Sequence, residues 1–216
     1  MISDPLKTAR ALLCVLFLLA AVSPAAADDL VPPSWRGDDG STVQSWGFVT
    51  SGVYDFMSMW YEYNAPDGGL NSNPYGTATL SVKPGALAGY EDEWGGRVGV
   101  WPLTGTIEAE IPNSQIPNPY KEIWIQLTWA AEDELYVPTV TVEVDPCYTI
   151  SDVELIEQID LGPTGEERTT PWYLSVYHVY IWENPSFETV TIEGPVFVDQ
   201  LVIDTICTVP EPATLS

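Results

Sequence analysis

Basic residues are scarce in this chain of 216 residues: seven Lys and Arg stand against 31 Asp and Glu, and histidine occurs once. So acidic a surface repels phosphate backbones, whose capture depends on Lys and Arg, and nucleic acid is excluded as an expected partner. The lone His178 lies mid-strand on the face of Trp172, Val176, Tyr180 and Trp182, a structural position rather than that of a general base. No G-x-S-x-G elbow occurs, and neither late cysteine heads a triad pattern, so nucleophilic catalysis is not expected. A two-carboxylate glycoside hydrolase is the one catalytic alternative, since it needs only two acids at the right separation.

Cysteine is also sparse, with three in all. Cys14 falls within an N-terminal segment built like a secretory leader: Lys7 and Arg10 precede an apolar core at 11–22, and Ala25-Ala26-Ala27 supplies small residues for cleavage. That core is short against the ~20 residues a membrane-spanning helix requires. We therefore expect a signal peptide at 1–27, leaving 30 acidic against 5 basic residues. In an oxidising compartment the surviving pair, Cys147 and Cys207, is expected as a disulfide, closing a loop worth ~4 kcal/mol on the chain-entropy model.

Helical signals are few. The only expected helix is a short one around "SDVELIEQI", where Ser151 and Glu154 make a capping-box pattern. Period-two alternation dominates instead. "TGTIEAEI" sets Ile107, Ala109 and Ile111 against Thr106, Glu108 and Glu110, and "PTVTVEV" sets Val140, Val142 and Val144 opposite Thr139, Thr141 and Glu143. "KEIWIQLTW" aligns Ile123, Ile125, Leu127 and Trp129, with Trp124, Gln126 and Thr128 on the other side. "WYLSVYHVYIW" reads as a central strand covered on both faces, and "PVFVDQLVIDTIC" as a closing strand. Pro, Gly and Asn clusters separate the runs. The expected fold is all-β: one antiparallel β-sandwich or jelly-roll-like domain over 43–207 with long Pro/Gly-rich loops, an extended arm at 28–42 and a tail at 208–216.

The aromatic content is the feature most suggestive of binding. All nine Trp and eleven Tyr lie beyond residue 27, and such rings can stack on sugars. Trp60, Trp94 and Trp124 are the candidate stacking residues, while Trp46, Trp101, Trp129, Trp172 and Trp182 are expected in the core. Two acid-rich turns, with Asp38 and Asp39 and with Glu91, Asp92 and Glu93, are candidate calcium ligands; no other cofactor is expected.

The tail Val209-Pro210-Glu211-Pro212, followed by Ala213-Thr214-Leu215, resembles the start of a PEP-CTERM sorting signal. That resemblance implies a bacterial protein exported, held transiently at the membrane and processed by an exosortase-type enzyme. It also implies an apolar helix and an Arg-rich end after the motif, and the chain stops at Ser216 before either. Membrane contact is expected only through that missing helix. "PPSWRGDDGSTVQSWGF", "NPYG" and the run from "GRVGVWPL" to "IWIQLTW" are similar to a group of uncharacterised exported proteins bearing this signal, as is the closing "VDQLVIDTICTVPEP". The group carries no established site residues. Its implications are an exported β-domain at a cell surface or in an extracellular matrix, in organisms that make exopolysaccharide. The expected function is a non-catalytic structural or interaction role, with a carbohydrate-binding module as the alternative.

Overall fold

The computed structural model describes residues 28–85, 89–131, 136–164 and 170–208. The expected leader at 1–27 and the Val209–Pro212 motif therefore lie outside the described residues. Among the described residues the regular secondary structure consists of strands alone, with no helix. In order these are β1 (Ser41–Trp46), β2 (Val53–Asp55), β3 (Trp60–Tyr63), β4 (Asn71–Ser72), β5 (Thr79–Lys83), β6 (Glu91–Trp94), β7 (Arg97–Leu103) and β8 (Thr106–Pro112). There follow β9 (Tyr120–Ala131), β10 (Thr139–Glu143), β11 (Thr149–Ile150), β12 (Glu154–Pro163), β13 (Pro171–Trp182), β14 (Phe187–Glu193) and β15 (Val196–Thr208).

They form two antiparallel sheets packed face to face. The larger runs β11-β13-β9-β15-β1-β4, with β12 also pairing β13 and with β7 pairing both β15 and β6; the smaller runs β10-β14-β8-β5-β3-β2. Alternation decides which side chains meet between them. Ile107, Ala109 and Ile111 of β8 and Val190 and Ile192 of β14 are buried against Ile123, Ile125 and Leu127 of β9 and Leu201 and Ile203 of β15. Each such side chain withdrawn from water contributes roughly 1.5–3 kcal/mol, so this stripe holds the sheets together.

The outer face of the larger sheet is covered as well. Gln126 and Thr128, on the polar side of β9, are both 1 % exposed, and the arm lies over Gln126. Gln126 accepts from the Val31 amide at 2.9 Å and donates to Asp29 at 2.6 Å, while the Trp124 indole donates to the Val31 carbonyl at 2.8 Å. The arm is extended only at its start. Turns closed by Arg36 N–H to Pro33, Asp38 N–H to Trp35 and Ser41 N–H to Asp38 coil its second half, and β1 begins at Ser41.

Three expectations are corrected. The segment around "SDVELIEQI" is no helix: β12 pairs with β13 as an edge strand. Ser151 does not cap, since its hydroxyl accepts from the Tyr180 amide at 2.9 Å and its amide donates to the Tyr180 carbonyl at 2.8 Å. Those two bonds deliver the chain to the sheet in extended form. Cys147 and Cys207 are both free thiols. Cys147 sits in the turn before β11, and β13 and β9 intervene between β11 and the β15 strand of Cys207. Three strand spacings amount to ~14 Å, beyond the reach of a disulfide. Trp46, Trp101, Trp129 and Trp172 are buried as expected, but Trp182, at the end of β13, is 47 % exposed.

Candidate functional site

At one end of the sandwich the loops enclose an open cleft of about 800 Å³. One wall comes from the β6–β7 hairpin, whose two-residue loop is Gly95-Gly96. Both glycines have positive φ, 60° and 77°, which a tight hairpin of this length demands and other residues resist. The hairpin presents Arg97 and the exposed Val98 to the cleft, with Leu161, Pro163 and Trp172 beside them.

The opposite wall is the loop after β1. Asp67 fastens it: its Oδ1 accepts from the amides of Gly47 (3.0 Å) and Phe48 (3.2 Å), and its Oδ2 from that of Val49 (3.0 Å). Phe48 itself is buried in the left-handed region, at φ 49°. Three amide bonds to one carboxylate are what hold that unfavourable backbone in place. Burial nevertheless leaves Asp67 above the usual carboxylate range.

The floor is set by an irregularity in β15. Its register against β9 slips between Val198 and Gln200, so Asp199 is the extra residue of a β-bulge. The bulge turns the Asp199 carboxylate to Arg97, 2.6 Å away, and the guanidinium lies 4.9 Å from the centre of the Trp172 ring. Burial pushes Asp199 up to about 6 despite Arg97. Asp28, the first residue of the arm, also pairs with Arg97, and its amide donates to Gln200. The arm thus reaches the rim of the cleft.

The site offers an apolar shelf with carboxylate, amide and guanidinium groups around it, an arrangement suited to holding a ligand. Asp67 is bonded to three amides and Asp199 to Arg97.

Of the candidate stacking residues, Trp94 lies next to this cleft, but its ring is stacked on Phe197 (3.6 Å between centres, 9° between planes) and meets the edge of Trp172. Trp124 is half-buried under the arm on the outer face of the larger sheet, and Trp60 is half-buried in the smaller sheet with the Lys83 ammonium 5.6 Å from its ring. The three do not share a surface. Asp38 and Asp39 are exposed in the arm, and Glu91, Asp92 and Glu93 are exposed along β6. Among the described residues no three His, Cys, Asp or Glu side chains are gathered as a metal site would require. No described helix is long and apolar enough to cross a membrane. His178 is half-buried between Trp124 and Tyr180, and burial holds it below the usual imidazole range.

Sequence reasoning missed Arg97, Asp67, Asp199 and Gln200. One signal was available: Arg97 is among only five basic residues after position 27, and a rare charge in an acidic chain is a candidate for a specific partner. No family model, curated protein or solved structure matches the chain.

Proposed function

We propose that this protein is an exported, non-catalytic structural or interaction component of a bacterial cell surface or extracellular matrix, and that it takes hold of a saccharide chain in the cleft between Val49, Val98, Leu161 and Asp199. The observation that carries the reading is the cleft itself: an apolar shelf beside Trp172, with Asp67, Arg97 and Gln200 converging on it. Sugars present apolar ring faces and hydroxyl edges together, and such a lining meets both. The net charge of −24 favours neutral over anionic polysaccharides. Export, and sorting through the Pro-Glu-Pro tail by an exosortase-type enzyme, rest on the leader and tail patterns.

The test is a titration of the full chain with a panel of neutral soluble polysaccharides, following tryptophan fluorescence and assaying reducing ends in parallel. A saturable change without new reducing ends is expected. Val98→Asp, which places a charge on the exposed shelf, should weaken binding at least about tenfold, the loss of some 1.4 kcal/mol. A flat response across the panel removes the saccharide reading, and release of reducing ends replaces it with the hydrolase.

A further inference from the structure

The opposite end of the sandwich holds three polar side chains in its interior. Lys121 shares the inward face of β9 with Ile123, Ile125 and Leu127, and Glu188 shares that of β14 with Val190 and Ile192. Asn113 follows directly on β8, where its amide donates to the Ser186 carbonyl at 2.9 Å. Lys121 and Glu188 are 0 % exposed and Asn113 is 1 % exposed. The three form a closed triangle. Lys121 Nζ donates to Asn113 Oδ1, Asn113 Nδ2 donates to Glu188 Oε2, and Lys121 Nζ stands 3.0 Å from Glu188 Oε1. Asn113 Nδ2 is held from its other side by the Pro185 carbonyl at 3.1 Å.

A lone ion pair sealed from water is costly, and moving one proton from the ammonium to the carboxylate removes both charges at once. Burial raises Glu188 above the usual carboxylate range, in keeping with that transfer. The contacts set the Lys121 nitrogen against the Asn113 carboxamide, with the Glu188 carboxyl touching both nitrogens and able to pass a proton between them. This is the arrangement that acyl transfer needs: a nucleophile, an electrophile and a proton shuttle in contact, with water excluded.

We propose that Lys121 and Asn113 join spontaneously in an intramolecular isopeptide bond, with Glu188 as the acid–base group. The Nζ lone pair attacks Asn113 Cγ, forming the N–C bond and moving the carbonyl electrons onto Oδ1. Glu188 takes a proton from the attacking nitrogen and delivers one to Nδ2. Collapse of the tetrahedral species restores the carbonyl and breaks Cγ–Nδ2, and the nitrogen leaves as ammonia. Overall an ammonium side chain and a carboxamide become a secondary amide and an ammonium ion. No oxidant, cofactor or second enzyme enters the balance. The product ties β9 of one sheet to the end of β8 in the other.

The experiment is tryptic digestion of the denatured full chain followed by mass spectrometry. Trypsin cuts after Arg97, Lys121 and Arg168, and acylation of Lys121 blocks the middle cut. The expected product is one peptide covering 98–168, lighter than its sequence by about 17 Da, the mass of ammonia. Separate peptides 98–121 and 122–168 at full mass would overturn the bond. A loss of ammonia confined to a cleaved 98–121 peptide would overturn it too, marking a succinimide at Asn113. Asn113→Ala and Glu188→Gln should each restore the cut at Lys121. Persistence of the joined peptide in E188Q would overturn the role given to Glu188. The wild-type digest decides the bond whether or not either variant folds.

Discussion

Two kinds of basic centre stand at different depths in this molecule. On the outer face, Arg36 lies between Asp29 and Asp204, and Arg97 between Asp28 and Asp199. Each arginine therefore joins one of the arm's first two residues to an aspartate of β15. Arg36 meets Asp204 with Nε and Nη2 at 2.5 and 2.6 Å, the paired geometry that a planar guanidinium suits. Its side chain is 19 % exposed, so water and salt reach it. Lys121 is wholly enclosed and faces one acid and one amide. The outer pairs act as a reversible strap, whereas the inner triangle is screened by nothing and gains a path to covalent chemistry. Depth, more than charge, separates the two.

The largest effect is expected at the inner centre. Lys121→Ala removes the amine that joins Asn113 and leaves Glu188 enclosed without its partner, and should cost at least the roughly 3–5 kcal/mol usual for half of a buried pair. The double variant Lys121→Met, Glu188→Leu replaces the stranded acid with apolar packing and should regain that part of the loss, but not the part owed to the missing bond to Asn113. Urea unfolding reads both, and the K121A penalty should hardly vary between low and high salt. A penalty below about 1 kcal/mol would mean that the pair is hydrated and would erase the contrast of depth.

A smaller and salt-sensitive loss is expected on the outer face. Arg36→Ala should cost about 1–3 kcal/mol, because Asp204 is fully buried and loses its partner while Asp29 can turn to water. Arg36→Lys should recover only part, since an ammonium cannot reproduce the double contact with Asp204. Raising the salt from about 50 to 500 mM should shrink the R36A effect, as the Debye length falls below the range of the exposed half of the network. An R36A penalty that ignores salt would place this centre with the inner one.

Legibility followed the same division. Alternation exposed β8, β9, β10, β13 and β15, because each has one face turned to a uniform apolar core. It also held the inner triangle in plain view: Lys121 has the parity of Ile123 and Ile125, and Glu188 that of Val190 and Ile192. Charges at inward positions of a strand pattern should have been read as buried. The cleft was not legible. Asp199 faces it only because of a bulge, and Asp67 is brought there by the close approach of Gly68 to Ser45, where an added Cβ would lie 2.6 Å from the hydroxyl. Neither feature leaves a periodic trace. The helix expected at β12 failed for a related reason: the Ser151 hydroxyl that would cap it was claimed by a strand 29 residues away.

The smallest effect concerns protons. Burial, partly offset by their arginines, pushes Asp199 and Asp204 up to about 6, against an ordinary value of 3.8. Each therefore binds its proton more tightly in the folded chain than in the unfolded one. Between about pH 4 and 6 the folded state carries the extra proton, so stability increases as pH falls through that window and is lost as pH rises. Relief of the chain's negative self-repulsion acts in the same direction. The thermal midpoint should be a few degrees higher at pH 5 than at pH 7.5, the reverse of the usual acid destabilisation. Asp204→Asn removes one titrating group from the outer centre and should flatten the slope. If D204N leaves the slope unchanged, Asp204 is not its source, and the proton belongs to another carboxyl that burial raises, Asp199 at the second arginine, Asp67 in the cleft or Glu188 in the sealed triangle.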